Sequence, residues 1–148
     1  MQKWILKAII QKSISFLPLE HKINFFFQKY ITQGVTLSDE YFEDRLTHCR
    51  EHYKYFRKYC PAQHFSHLEI GTGWYPVVPL GMFLCGADAI TTIDLTCFTN
   101  EKRFRTTLKK YYDCYRSGKL SVLLPCIFQD RLKMLLDEAE HSTCSSVG

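Results

Sequence analysis

Two short apolar runs, each closing on or beside a carboxylate, constrain this chain more than any other feature. The first is Leu68-Glu69-Ile70, and Gly71-Thr72-Gly73-Trp74-Tyr75-Pro76 follows at once. The second ends in Ile93-Asp94, 25 positions after Glu69. A strand, a glycine turn, a helix signal and a second strand form the order of a nucleotide-binding βαβ unit. Glycine at alternate positions lets the backbone come close to a ligand, because no Cβ stands in the way. A carboxylate that closes the second strand can accept hydrogen bonds from both ribose hydroxyls.

The details of the turn narrow the ligand. A dinucleotide site uses a third small residue, as in Gly-x-Gly-x-x-Gly. Counting from Gly71, that place holds Pro76, which is larger and has no N–H. Glu69 stands just before the glycines, where it would repel a pyrophosphate and suit a ligand with a positive centre. On these residues the segment resembles the Rossmann-like (class I) S-adenosylmethionine-dependent methyltransferases. Their first motif is an acidic residue before Gly-x-Gly at the end of the first strand, and their second is an acid closing the next strand. The resemblance covers residues 66 to 96, and the family's third small residue is absent here.

The resemblance implies an α/β fold and S-adenosylmethionine as cofactor. Gly71 and Gly73 would border its methionine portion, Glu69 would lie near its ammonium group, and Asp94 would hold its ribose. The acceptor of the methyl group is unknown, and no catalytic base can be named. Such residues usually follow later strands in the family, and the chain reaches Gly148 without a third strand of similar quality. The expectation is therefore an incomplete Rossmann-like methyltransferase fold, the front part of a larger enzyme and inactive alone. It would divide into a helical region over 1–60, the first βαβ part over 61–118, and a helix with a disordered tail over 119–148.

Two other classes compete with this reading. A nicotinamide- or flavin-dependent oxidoreductase would use the same turn, but Pro76 and Glu69 argue against it. A non-catalytic helical interaction module would use the glycines only to turn the chain.

Composition sets the remaining limits. A chain of 148 residues is one domain by default. A net charge of +4 is mild, and a solvated helix face explains it without nucleic acid. Seven irregularly spaced cysteines with no signal sequence read as reduced thiols in the cytoplasm. Near the start, Lys3, Lys7 and Gln11 repeat every four residues, with Ile5, Leu6, Ile9 and Ile10 on the other side. This is an amphipathic helix that packs on the domain or, less simply, lies on a membrane surface.

Further along, Pro18 closes this first helix. His21 to Ile31 is a second helix, broken by Gly34. Thr36 can cap a third, with Asp39 as its reciprocal partner, running to about Tyr59 before Pro61. His67 to Ile70 and Ala89 to Leu95 are the strands, and a helix falls within Val77 to Cys85 with Gly86 at its end. Asn100 caps a long helix ending near Ser117, with Phe104, Leu108, Tyr112 and Tyr115 as its buried stripe. Lys102, Arg103, Lys109 and Lys110 form its solvated face. Leu120 to Leu124 is a strand or the start of a helix. Ile127, Phe128, Leu132, Leu135 and Leu136 mark an amphipathic helix, and from His141 the chain reads as a disordered tail.

The remaining candidates have plain counterparts. His48 and His52 lie one helical turn apart, and Cys60, His64 and His67 follow, but no Cys-x-x-Cys pair supports a metal site. Cys97 is a nucleophile or, more simply, a buried thiol. Trp74 and Tyr75 cover the ligand or fill the core. Leu95 packs on an adenine face or in the core.

Overall fold

The computed structural model describes Ile5, Ile9, Lys12 and residues 36–144. The chain divides into two compact units, Met1–Thr36 and Leu37–Gly148. Ile5, Ile9 and Lys12 are helical. The rest of the two helices expected before residue 35 lies outside the described residues. The second unit is mixed α/β: five helices and a two-stranded parallel sheet among the described residues.

Helix α1 spans Asp39–Tyr59. Its cap is Ser38, not Thr36. The Ser38 hydroxyl accepts the Tyr41 N–H at 3.1 Å, and Asp39 and Glu40 in the first turn suit the positive end of the helix. A serine one residue before the acidic pair satisfies a free N–H directly, so the helix starts later than a Thr36 cap would place it. The helix ends at Cys60, ahead of Pro61, as a residue before proline requires.

Strand β1 (Ser66–Ile70) pairs in parallel with β2 (Ala89–Ile93), with Leu68 opposite Thr91 and Ile70 opposite Ile93. Helix α2 (Val77–Leu84) connects them. Gly86, at φ +99°, ends α2 in the left-handed region. Its N–H bonds the Phe83 carbonyl and the Ala87 N–H bonds the Met82 carbonyl, both at 3.0 Å, which satisfies two of the helix's last carbonyls. β2 stops at Ile93, short of the expected Leu95. The Asp94 carboxylate turns back to backbone N–H groups, so the chain leaves the ladder there.

Helix α3 spans Glu101–Arg116 and is capped by Asn100, whose side chain accepts the Arg103 N–H at 3.0 Å. Its buried stripe is Thr107, Leu108, Tyr111 and Cys114, so of the expected four Leu108 is fully buried and Tyr112 packs half-buried against the core. Phe104 and Tyr115 are exposed. The helix is rotated because Tyr111 can bury its hydroxyl, which donates to the Val77 carbonyl at 2.7 Å. The Thr107 hydroxyl likewise finds the Arg103 carbonyl at 2.9 Å. The basic face is not simply solvated either: Lys110 pairs with Asp39 on α1. The short helix α4 (Leu120–Leu123) resolves the strand-or-helix alternative, and α5 (Gln129–Cys144) follows. α5 runs through residues expected to be a disordered tail, because buried Ala139 anchors its last turns.

The core lies among the helices. Phe42 and Leu46 of α1, Val77 and Leu84 of α2, and Leu108 and Tyr111 of α3 are essentially sealed from solvent. Phe42 meets Tyr111 edge to face, with ring centres 5.0 Å apart and planes at 87°. Gly81 lets α1 and α2 approach: a Cβ there would stand 2.6 Å from the Cys49 sulfur. The sheet is covered on one face only. His67, Glu69 and Ile90 are partly buried, while Leu68 and Ile70 remain 58% and 78% exposed. Among the described residues no helix is long and apolar enough to cross a membrane.

Candidate functional site

The site is built at the carboxyl ends of the two parallel strands, where β1 hands over to α2. The Gly71 N–H bonds the Ile93 carbonyl at 2.8 Å and extends the ladder one step beyond β1. Gly71 and Gly73 then take φ values of +82° and +72°, which residues with a Cβ rarely adopt. No heavy atom stands within 4 Å of where a Cβ would lie at either position. The two glycines therefore serve the bend, and they leave open space above it.

Asp94 is joined directly to this loop. Its Oδ2 accepts the Gly73 N–H at 2.8 Å, and its Oδ1 takes only a long contact of 3.4 Å from the Thr96 N–H. The second acid of the motif thus braces the glycine turn with one oxygen and keeps accepting capacity on the other. Thr99 adds a second clasp, donating its hydroxyl to the Gly73 carbonyl at 3.1 Å. Trp74 stacks on Phe98 with ring centres 4.4 Å apart, and the Arg103 guanidinium lies 4.1 Å from the Trp74 ring centre. Arg103 also donates to the Phe98 carbonyl. The loop after β1 and the loop after β2 are therefore tied into one surface.

Glu69 lies on the covered face of β1. Burial pushes its carboxyl above the usual range, opposed by the nearby Thr72 hydroxyl and by His52 of α1. Its Oε2 is buried without a hydrogen-bond partner, as are Thr72 Oγ1 and His67 Nε2. Burial, with His52 beside it, also pulls the His67 imidazole below its ordinary value. The Thr72 hydroxyl lies close enough to draw the Glu69 carboxyl downward, yet neither oxygen meets the geometry of a full hydrogen bond.

The structure thus brings Gly73 and Asp94 into direct contact, with Gly71 bonded to the neighbouring Ile93 and Glu69 near the end of β1. It also corrects several expectations. Leu95 is 105% exposed and has no place in the core. Cys97 is exposed, not buried, and its thiol donates toward the Thr99 carbonyl at 3.4 Å. Tyr75 packs against the core, whereas Trp74 joins the clasp. Arg103 belongs to the site and not to a solvated face. Thr99 and Phe98 were not singled out from sequence, and Arg103 only as a solvated residue. Their only signal is position, between the second acid and the Asn100 cap.

His48 sits 3.7 Å from Asp44, and His64 sits 3.0 Å from Asp88. Among the described residues no group of three or more His, Cys, Asp or Glu side chains could hold a metal ion. Two clefts of about 220 and 210 Å³ lie elsewhere, one beside Asp39, Glu43 and Lys119, the other beside Tyr115, Leu124 and Ile127. At the strand ends themselves, Gly71 and Asp94 are exposed and Gly73 is half-buried. No protein-family model, curated protein or solved structure matches this chain.

Proposed function

We propose that the shelf formed by Glu69, Gly71, Gly73 and Asp94 binds S-adenosylmethionine as part of a Rossmann-like methyltransferase. The observation that carries this reading is the Asp94–Gly73 hydrogen bond at 2.8 Å, because it joins the second acid to the glycine turn at the ends of adjacent parallel strands. In open α/β sheets, ligands lie at such strand ends. The less engaged Asp94 Oδ1 is the atom for the ribose hydroxyls. The unpartnered Oε2 of Glu69 is the acceptor for a cationic amino group, directly or through water. The open space over Gly71 and Gly73 admits the ligand's chain. Methyl transfer would then depend chiefly on holding an acceptor in line with the sulfonium methyl.

The exposed face of the sheet fits this proposal. Leu68, Ile70 and Ile93 form an uncovered apolar surface, and parallel sheets are normally buried on both faces. Catalysis would need further strands or helices over that face, which would also supply the acceptor site. A dinucleotide reading fits less well. Pro76 occupies the third glycine's place, is buried, and is the residue from which α2 starts. A pyrophosphate there would meet a ring where the fingerprint offers glycine, and the Glu69 carboxyl behind it.

Calorimetric titration with S-adenosylmethionine and with NAD tests the proposal. Binding of the first and not of the second supports it. Binding of NAD alone, or of neither by a cooperatively folded chain, overturns it.

A further inference from the structure

Cys49, Cys60, Cys85, Cys97, Cys114 and Cys126 carry free thiols, and two of them face each other. The sulfurs of Cys85 and Cys126 are 3.0 Å apart although 41 positions separate the residues. A disulfide bond is about 2.05 Å long, so the two sulfurs are about 1 Å short of bonding distance. The backbone is held on both sides of the pair. The Phe128 N–H bonds the Leu84 carbonyl at 2.9 Å, and the Phe128 ring lies against Gly86. Arg131 of α5 donates to the Phe83 carbonyl at 3.1 Å and to the Ala87 carbonyl. The end of α2 and the turn between α4 and α5 are therefore fixed to each other by contacts that do not involve sulfur.

We propose that Cys85 and Cys126 form a reversible disulfide that latches the end of α2 to the turn before α5, closed by a low-molecular-weight disulfide such as oxidised glutathione. Cys126 is the point of entry, because it is only partly buried while Cys85 is sealed. The Cys126 thiolate attacks one sulfur of oxidised glutathione; a mixed disulfide forms and one glutathione thiolate leaves. The Cys85 thiolate then attacks the Cys126 sulfur and the second glutathione thiolate leaves. The protein gives up two electrons, both sulfur protons pass to solvent and the departing thiolates, and the oxidant becomes two glutathione thiols.

The contact with Cys85 and then burial hold the Cys126 thiol above the ordinary thiol range. Closure is therefore slow at neutral pH and speeds up in alkali, because the thiolate is the attacking species. A bond across so long a loop restrains the unfolded chain, so the latched protein unfolds at a higher temperature.

The test uses the full chain, folded, in mildly alkaline buffer with excess oxidised glutathione. The expected product is a monomer lighter by two hydrogen atoms. Digestion should give a cross-linked peptide pair holding Cys85 and Cys126, and dithiothreitol should restore the starting mass. Cys126→Ser, at the less buried partner, should fold and yield no such product. Mapping of the parent protein decides the matter even if that variant is unstable. A bond from Cys85 to Cys49 instead, mixed glutathione adducts without closure, or no change of mass would each overturn the proposal.

Discussion

The helical layer and the sheet of this unit are built to different standards. Between α1, α2 and α3, Leu46 has no exposed surface, Tyr111 is sealed with its hydroxyl satisfied, and Gly81 is required for fit. The sheet has two strands, one covered face, and apolar side chains left in solvent on the other. Stability therefore resides in the helices, while the candidate ligand shelf sits on the thinner part and is held by a few polar contacts. Burial sets the cost of changing the first region. Hydrogen bonds and backbone conformation set the cost of changing the second.

The sharpest way to break the comparison is a matched pair of truncations. Leu46→Ala should destabilise the fold by about 2–5 kcal/mol, through lost burial and the cavity left behind. Leu68→Ala removes the same atoms from the open sheet face and should cost about 0.5 kcal/mol or less. Denaturant melts of both variants check this. Equal losses would mean that the sheet face is covered in solution, and the comparison would fail.

Among truncations of a side chain in the sheet region, the largest effect belongs to Asp94. Asp94→Ala removes the acceptor for the Gly73 N–H and the proposed ribose ligand together. Hydrogen bonds to a charged group contribute about 1.5–3 kcal/mol, so S-adenosylmethionine should bind roughly tenfold to a hundredfold more weakly. The 2′-deoxyribose analogue separates the two roles. If Asp94 holds the ribose, the analogue's disadvantage should shrink in the variant. If it persists unchanged, Asp94 only braces the loop.

What the sequence made legible follows the same division. Both strands, the α2 crossover, the glycine turn and the Asn100 cap were readable, because each rests on local chemistry: a β-branched run, a left-handed glycine, a side chain reaching an N–H three residues on. The face of α3 was not. Phe104 and Tyr115 are as apolar as any core residue, and only the Val77 carbonyl, remote in sequence, explains why Tyr111 turns inward instead. The clasp of Thr99, Phe98 and Arg103 was hidden for a similar reason. Its contacts join the two loops across 26 positions for Thr99 and Gly73, and no periodicity encodes them. The site acids were visible as a pattern, but the direct bond between Asp94 and Gly73 was not.

A smaller effect comes from the turn itself. Gly73→Ala places a Cβ at φ +72° and should cost about 1–2 kcal/mol in strain. Gly118 is the control, because it ends α3 at φ +74° with equally open space around it and lies far from the shelf in sequence. Gly118→Ala should destabilise the fold similarly and leave cofactor affinity unchanged. Gly73→Ala should also weaken binding, and Gly73→Val should abolish it with helical content preserved. Unaltered affinity in the valine variant would remove the turn from the site.

The smallest expected effect is on pH dependence, and it probes the half-buried foot of the shelf. Glu69 has its folded pKa raised above the ordinary 4.5, chiefly by burial. Between those two values the unfolded chain has released a proton that the folded chain still holds. The folded state is therefore favoured at the acidic end, and this contribution is lost as pH rises through the raised pKa. A cationic ligand reverses the preference, because its amino group stabilises the ionised carboxylate. S-adenosylmethionine should then bind more tightly as pH rises through the same window, releasing a proton as it does. Calorimetry in two buffers of different ionisation enthalpy measures that release. Glu69→Gln should flatten both the stability and the affinity profiles over the window. If the glutamine variant keeps the parent's proton release, the ligand's charge is met elsewhere, and Glu69 belongs with the packing of the sheet and not with its function.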